Sequence, residues 1–216
     1  MATQSGTKTV RDGNATKRAA ILVAARELFV RDGVERTSMD AVAARAGVSK
    51  RTVYDYFGDK RRLLLDVIID AGESLLVSLR RAIADHLADD ADITDLASLE
   101  RALADFAVEI VESMLATSEY AATFRLISEN GADLTELADH PLIDAPEEAL
   151  AERLGHFSEI GLLDAPDPRL AADHFNALTT LLALNGRYPG LIEADRVRRL
   201  MAEGVRVFVR AYARRD

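Results

Sequence analysis

The chain has 216 residues, 49% of them hydrophobic, and a formal net charge of −9. It is long enough to bury a real core, and the absence of cysteine excludes disulfides and thiolate metal sites. No apolar run is long enough to span a bilayer, and the polar opening MATQSGTKTVRDGNATKR lacks the apolar stretch of a signal peptide, so a cytoplasmic protein without a membrane partner is expected.

The charge is unevenly divided. Residues 1–62 carry 13 Lys and Arg against 7 Asp and Glu, a balance of +6; residues 63–216 carry 14 against 29, a balance of −15. A basic head on an acidic body is the asymmetry expected when only the head meets phosphate.

Residues 1–14 hold few apolar side chains and are expected to form a flexible arm, with Lys8 and Arg11 in reach of a minor groove or phosphates. A first helix is predicted from about Ala15 to Arg31, with Ile21, Leu22, Ala25, Leu28 and Phe29 on one face, ended by Asp32-Gly33. Residues 38–60, SMDAVAARAGVSKRTVYDYFGDK, then read as two short helices joined by a tight turn. Ser38 and Ser49 are N-cap residues, whose hydroxyls accept from unpaired backbone N–H groups. Ala43 is small where the helices approach, Gly47 turns the chain, and Val53 fills the angle of a helix-turn-helix. Lys50, Arg51 and Thr52 occupy the first turn of the second helix, the part of a recognition helix that reaches base edges in the major groove. Tyr54, Tyr56, Lys60, Ser38 and Thr37 suit phosphate oxygens, so capping and DNA contact are compatible roles for Ser38.

These residues carry a family resemblance. AARAGVSKRTVYDYFGDKRRLL, preceded by AARELFVRDGVERTSM, resembles the DNA-binding domain of TetR-family transcriptional regulators. The resemblance implies an all-α homodimer with a variable C-terminal ligand-binding domain, and repression of an operator relieved by a small-molecule effector. The domain organisation expected is an arm (1–14), a helix-turn-helix domain (15–62) and a ligand-binding and dimerisation domain (63–216).

In the body, Asp59 caps a fourth helix from Lys60, whose apolar face (Leu63, Leu64, Val67, Ile68, Ala71, Leu75, Leu79) continues from head into body. A fifth helix is predicted over about Asp95–Ala116 and a sixth over Glu119–Asn130. A short turn follows at Asp133–Ala138, then a seventh helix from Pro146 to Ile160. Asp167-Pro168 opens an eighth, apolar nearly all round, predicted to run to Asn185. The ninth, Glu193–Arg214, contains Gly204, costly inside a helix unless another helix crosses closely. Helices eight and nine suit a four-helix dimer interface. FRLISENGADLTELAD and EIGLLDAPDPRLAADHF are similar to the C-terminal domain of the AefR-like subgroup of the TetR family.

His86, His140, His156 and His174 form no HExxH or other metal spacing, and there is no Gly-rich phosphate loop and no GxSxG, so no enzyme, metal or cofactor is expected. Arg125, Glu129, His156, Asn176 and Thr180, with Phe106, Phe124, Phe157 and Phe175 as apolar wall, are the set that would line the effector pocket the resemblance implies. The competing readings are a helical small-molecule-binding protein or enzyme, or an adaptor, using the helix-turn-helix only as scaffold.

Overall fold

The computed structural model describes residues 6–89, 92–116, 126–127, 129–130, 134–138, 140–181 and 194–214. Among these residues it is all-α, with nine helices. They are α1 (Gly6–Asp32), α2 (Met39–Ala46), α3 (Lys50–Phe57), α4 (Lys60–His86), α5 (Leu96–Ala116), α6 (Thr135–Ala138), α7 (Pro141–Glu159), α8 (Pro168–Leu178) and α9 (Ala194–Tyr212). Among them a single antiparallel bridge pairs Leu163 with Ala213. No helix of the described residues is long and apolar enough to cross a membrane.

The chain forms two compact units, one of residues 1–72 and 122–138, the other of residues 73–121 and 139–216. The first unit is built on the face predicted for α1: Ile21, Leu22, Ala25, Leu28 and Phe29 are buried together with Met39, Val42 and Ala43 of α2, and Val53 and Phe57 of α3. Leu63, Leu64, Val67 and Ile68 of α4 join the cluster. Three residues from far along the chain, Leu126, Leu134 and Leu137, belong to the same core at 0, 2 and 6% exposure, so a piece of sequence from the acidic half is part of the basic unit. That grouping is not visible in the sequence, because a short apolar segment says nothing about which core receives it.

The second unit buries Leu76, Leu79 and Ala82 of α4 with Leu99, Leu103, Phe106, Ile110 and Met114 of α5. Leu150, Leu154 and Phe157 of α7, Phe175 of α8, and Val197, Met201, Val205 and Phe208 of α9 fill the rest. Phe106, Phe175 and Phe208 form a chain of rings, with centroids 6.0 and 5.3 Å apart, the second pair edge-on.

Several element boundaries differ from the predicted ones. α1 begins at Gly6 where the composition places its start near Ala15. α7 begins at Pro141, capped by His140, whose Nδ1 accepts from the Leu142 N–H at 3.3 Å, and Pro146 lies inside the helix. Pro146 reads as a helix start because proline lacks the N–H of an interior position; here it falls in the second turn and deletes one ladder bond. α8 ends at Leu178: Thr179 turns the chain with φ −118° and ψ −87°, and its hydroxyl donates to the Phe175 carbonyl at 2.6 Å; Thr180 and Leu181 are helical again, and the rest of the predicted stretch to Asn185 lies outside the described residues. Most of the predicted sixth helix lies outside the described residues.

The turn at Leu178–Thr179 accounts for Gly204. A Cβ at that position would stand 2.1 Å from the Leu178 carbonyl oxygen and 3.2 Å from Thr179 Cγ2. The close crossing inferred from the glycine is therefore within one chain, between the C-terminal end of α8 and the middle of α9. A Cβ on Gly72, inside α4, would meet nothing within 4 Å among the described residues beyond its own helix backbone. Gly204→Ala should destabilise the protein by about 1–3 kcal/mol through overpacking against backbone, whereas Gly72→Ala should be neutral or stabilising by up to ~1 kcal/mol. Urea unfolding of the two variants beside wild type measures both; equal shifts would show that helix propensity alone governs Gly204.

Candidate nucleic-acid interface

The helix-turn-helix is closed by backbone chemistry. Ser38 Oγ accepts from the Ala41 N–H at 3.1 Å, and Ser49 Oγ accepts from the Thr52 N–H at 3.0 Å, so both predicted caps are formed. Gly47 adopts φ +67°, ψ +30°, a left-handed conformation that lets its own N–H and that of Val48 reach back to the carbonyls of Ala44 and Ala43. Val53 is wholly buried between the two helices and α1, and Ala43 is 5% exposed at the crossing. Burying Val53 and Phe57 on one side of α3 turns Lys50, Arg51 and Tyr54 outward.

The exposed side chains differ in how free they are. Arg51 is 90% exposed, with only a loose i,i+4 approach to Asp55 at 3.7 Å. Lys50 is tied to Asp40 of α2, its Nζ 2.8 and 3.1 Å from the two carboxylate oxygens, and lies 5.9 Å over the Tyr54 ring. The hydrogen bond to Asp40 and its charge hold the Lys50 ammonium above its ordinary pKa. Ser49 Oγ and Thr52 Oγ1 lie 2.7 Å apart and share one proton, which leaves the other hydroxyl proton of the pair to point elsewhere.

Three residues assigned to phosphate are engaged within the chain. Tyr56 gives its only hydroxyl proton to the Asn14 carbonyl at 3.1 Å. A phosphate oxygen can only accept, so Tyr56 must break that bond to touch one. Thr37 is 4% exposed and its hydroxyl donates to the Gly33 carbonyl at 2.8 Å. Lys60 Nζ donates to the carbonyls of Val34 (2.8 Å) and Glu35 (3.1 Å), clamping the start of α4 to the turn before α2 and leaving one of its three protons for an outside acceptor. Ser38, Tyr54 and Lys60 nonetheless border one open hollow of about 360 Å³, with Glu35, Arg36 and Asp59 also on its rim.

Asp40 and Glu136, two acids that pair with basic groups of this unit, have no signature in the sequence. Arg61, in the first turn of α4, donates from both terminal nitrogens to the two carboxylate oxygens of Glu136 on α6, each at 2.5 Å. No spacing in the sequence could announce a pair 75 residues apart.

The predicted pocket set is only partly assembled. Phe106, Phe157 and Phe175 are at most 2% exposed and lie in the core of the second unit. His156 is partly exposed, edge-on to Phe157 with ring centroids 5.7 Å apart; Asn176 and Thr180 are also partly exposed. Glu129 is exposed and groups with the first unit instead. Phe124 and Arg125 lie outside the described residues. Among the described residues there is no cluster of three or more His, Asp or Glu able to hold a metal ion.

The Glu136 carboxyl is held down to about 2, first by the hydrogen bonds from Arg61 and then by the backbone N–H of Glu136 itself. A carboxylate so depressed favours the folded unit above the ordinary carboxylate range and loses that contribution as pH falls toward 2. Arg61→Gln should return the Glu136 midpoint toward 4.5, its ordinary value, in a carbon-detected NMR titration. A midpoint that stays near 2 would show that backbone donors, and not Arg61, set it.

Comparison with known proteins agrees with this geometry. Residues 21–67 match the family model of the bacterial regulatory proteins of the tetR family, and residues 101–214, more than half of the chain, match the AefR-like transcriptional repressor C-terminal domain. The transcriptional activator FasR of Mycolicibacterium smegmatis is 39% identical over 67 residues, a match spanning 31% of this chain and 31% of FasR. A TetR-family regulator structure from Mesorhizobium loti superposes with a TM-score of 0.80 over 93% of this chain and 98% of that one, at 22% identity. The flavonoid-responsive regulator FrrA superposes with a TM-score of 0.65 over 93% of this chain and 98% of its own, at 27% identity. A helix-turn-helix with both caps and its apolar plug in place, followed by a helical body that the second model covers, makes this chain a member of the TetR family of bacterial transcriptional regulators.

Proposed function

We propose that the protein binds a near-palindromic operator as a homodimer and represses from it until a small molecule binds the helical body. The observation that carries the DNA half is the first turn of α3, where Arg51 stands 90% exposed beside the Ser49–Thr52 pair. An unencumbered arginine there can take the two acceptors of a guanine edge. Ser38, Tyr54 and the remaining proton of Lys60 are the phosphate contacts, with Lys60 also holding the turn that presents Ser38. Lys50 comes to DNA through exchange of Asp40 for phosphate. Tyr56 serves as a positioning residue for α1.

Dimerisation is supported by apolar side chains left in water. Leu170 and Leu181, on and just after α8, and Val207 of α9 are 47, 44 and 50% exposed. Two recognition helices then need to sit about one DNA turn apart, roughly 34–36 Å. Repression is favoured by the AefR-like repressor domain, which covers far more of the chain than the match to the activator FasR. An effector in the second unit is supported by FrrA, which responds to a flavonoid, and by the aromatic core of Phe106, Phe157 and Phe175 with His156 and Asn176 beside it. Thr180, of the same unit, remains part of the proposed set; Glu129 groups with the first unit and leaves it, and Phe124 and Arg125 lie outside the described residues. The effector acts by binding a low-affinity state better than the operator-bound one. A regulator of this kind works in the cytoplasm, where its operator is.

The test uses an operator selected from genomic fragments. Wild-type affinity should fall steeply with salt, and light scattering at micromolar protein should give a dimer. Arg51→Ala should cost about 1–3 kcal/mol and relax preference at one base position of each half-site. Asp40→Asn, by releasing Lys50, should instead strengthen binding to all sequences alike. An Arg51→Ala variant that keeps wild-type affinity and base preference would mean that another face reads the operator.

A further inference from the structure

Arg153 stands where the helix pattern calls for an apolar side chain. On α7, Leu150, Arg153, Leu154 and Phe157 follow the spacing that places side chains on one face. Leu150, Leu154 and Phe157 are 2, 0 and 1% exposed, so this is the buried face. The arginine shares it, with only 14% of its side chain exposed.

Its guanidinium is partnered on one side only. Nη1 donates to Asp89 Oδ1 at 2.5 Å, and the central carbon lies 5.3 Å over the Phe157 ring. Nε and Nη2 are shut off from solvent and have no hydrogen-bond partner among the described residues. Those two nitrogens form one edge of the group, with N–H bonds running parallel, the fork that takes both oxygens of a carboxylate. Buried donors without acceptors are strongly disfavoured, and such groups recur where a ligand supplies the acceptor. Asp89 is 76% exposed and meets the opposite side of the group, so it balances the charge without filling the fork.

We propose that the Nε–Nη2 edge of Arg153 recognises the carboxylate of an effector whose remainder is apolar. This deepens the effector reading given above and rests on it. The ligand class follows from three features. The fork is planar and matches a planar oxyanion. Asp89 already offsets part of the positive charge, so one negative charge suits the site better than the two of a phosphate monoester. Leu150, Leu154 and Phe157 beside the fork favour a hydrocarbon body over a polar one. Phe157, against the guanidinium, fixes the plane of the fork, and His156, with Nε2 3.6 Å from Asp89 Oδ1, borders it. The competing acceptor is an acid of the chain itself, since Asp90 directly follows Asp89 in sequence.

The experiment is calorimetric titration of the full chain with octanoate and benzoate, each paired with its uncharged analogue, octan-1-ol or benzyl alcohol. The variants are Arg153→Met, Arg153→Lys and the control Arg169→Met, which removes an exposed arginine paired to Asp144. Wild type should bind at least one carboxylate about tenfold or more tighter than its alcohol. Both Arg153 variants should lose that preference, by on the order of ten- to a hundredfold, while Arg169→Met keeps it. Arg153→Lys retains charge and stem but not the fork, so it reports even if the methionine variant fails to fold. No carboxylate preference in wild type, or a preference unchanged in Arg153→Lys, overturns the proposal; lowered stability of both Arg153 variants with neither carboxylate bound assigns the fork to an internal acid. Operator affinity in the same samples separates the two readings. Octanoate that binds through Arg153 yet leaves operator affinity unchanged sinks the effector reading alone. Operator affinity that responds to the alcohols as strongly as to the acids sinks the Arg153 site alone.

Discussion

What the DNA-binding unit presents depends on the burial of Val53 and Phe57. Both lie on one side of an eight-residue helix, too short to be stable alone, so α3 exists because α1, α2 and α4 accept those two side chains. With the inward side occupied, Lys50, Arg51 and Tyr54 are turned to the exposed side. Gly47 and the Ser49 cap sharpen this by ending one helix and starting the next within three residues, which sets the angle between α2 and α3. The chemistry of the interface is thus a consequence of packing behind it.

Charge in this unit is managed as much as displayed. Lys50 meets Asp40, Arg45 meets Glu27, Arg18 meets Asp66 and Arg61 meets Glu136. Exposed pairs of this kind contribute little to stability. They do hold long side chains in place and lower the field that non-specific phosphate would feel. Arg51, 90% exposed, makes only a loose approach to Asp55.

The second unit is organised around aromatic and aliphatic packing, with Phe106, Phe157, Phe175 and Phe208 among its fully buried rings. Against that background a buried arginine fork is conspicuous, because a guanidinium in an apolar core needs acceptors. The close approach of α9 to the end of α8 at Gly204 belongs to the same unit and gives it a backbone-to-backbone seam that tolerates no side chain.

The sequence by itself determined the helical class, the helix-turn-helix and its caps, the split of charge, and the family. Each rests on a local signal: residues three or four apart on one helical face, a glycine where φ is positive, or a serine before an apolar run. It also exposed the odd glycine at position 204. The tertiary structure decided which groups are free. That Tyr56 bonds Asn14, that Lys60 clamps Val34 and Glu35, and that Glu136 pairs with Arg61 across 75 residues are long-range contacts with no periodic trace in the chain. The same holds for Leu126, Leu134 and Leu137 joining the first core, and for Thr179 turning the chain after Leu178. Spacing along a helix tells which side chains share a face; only packing tells what that face meets.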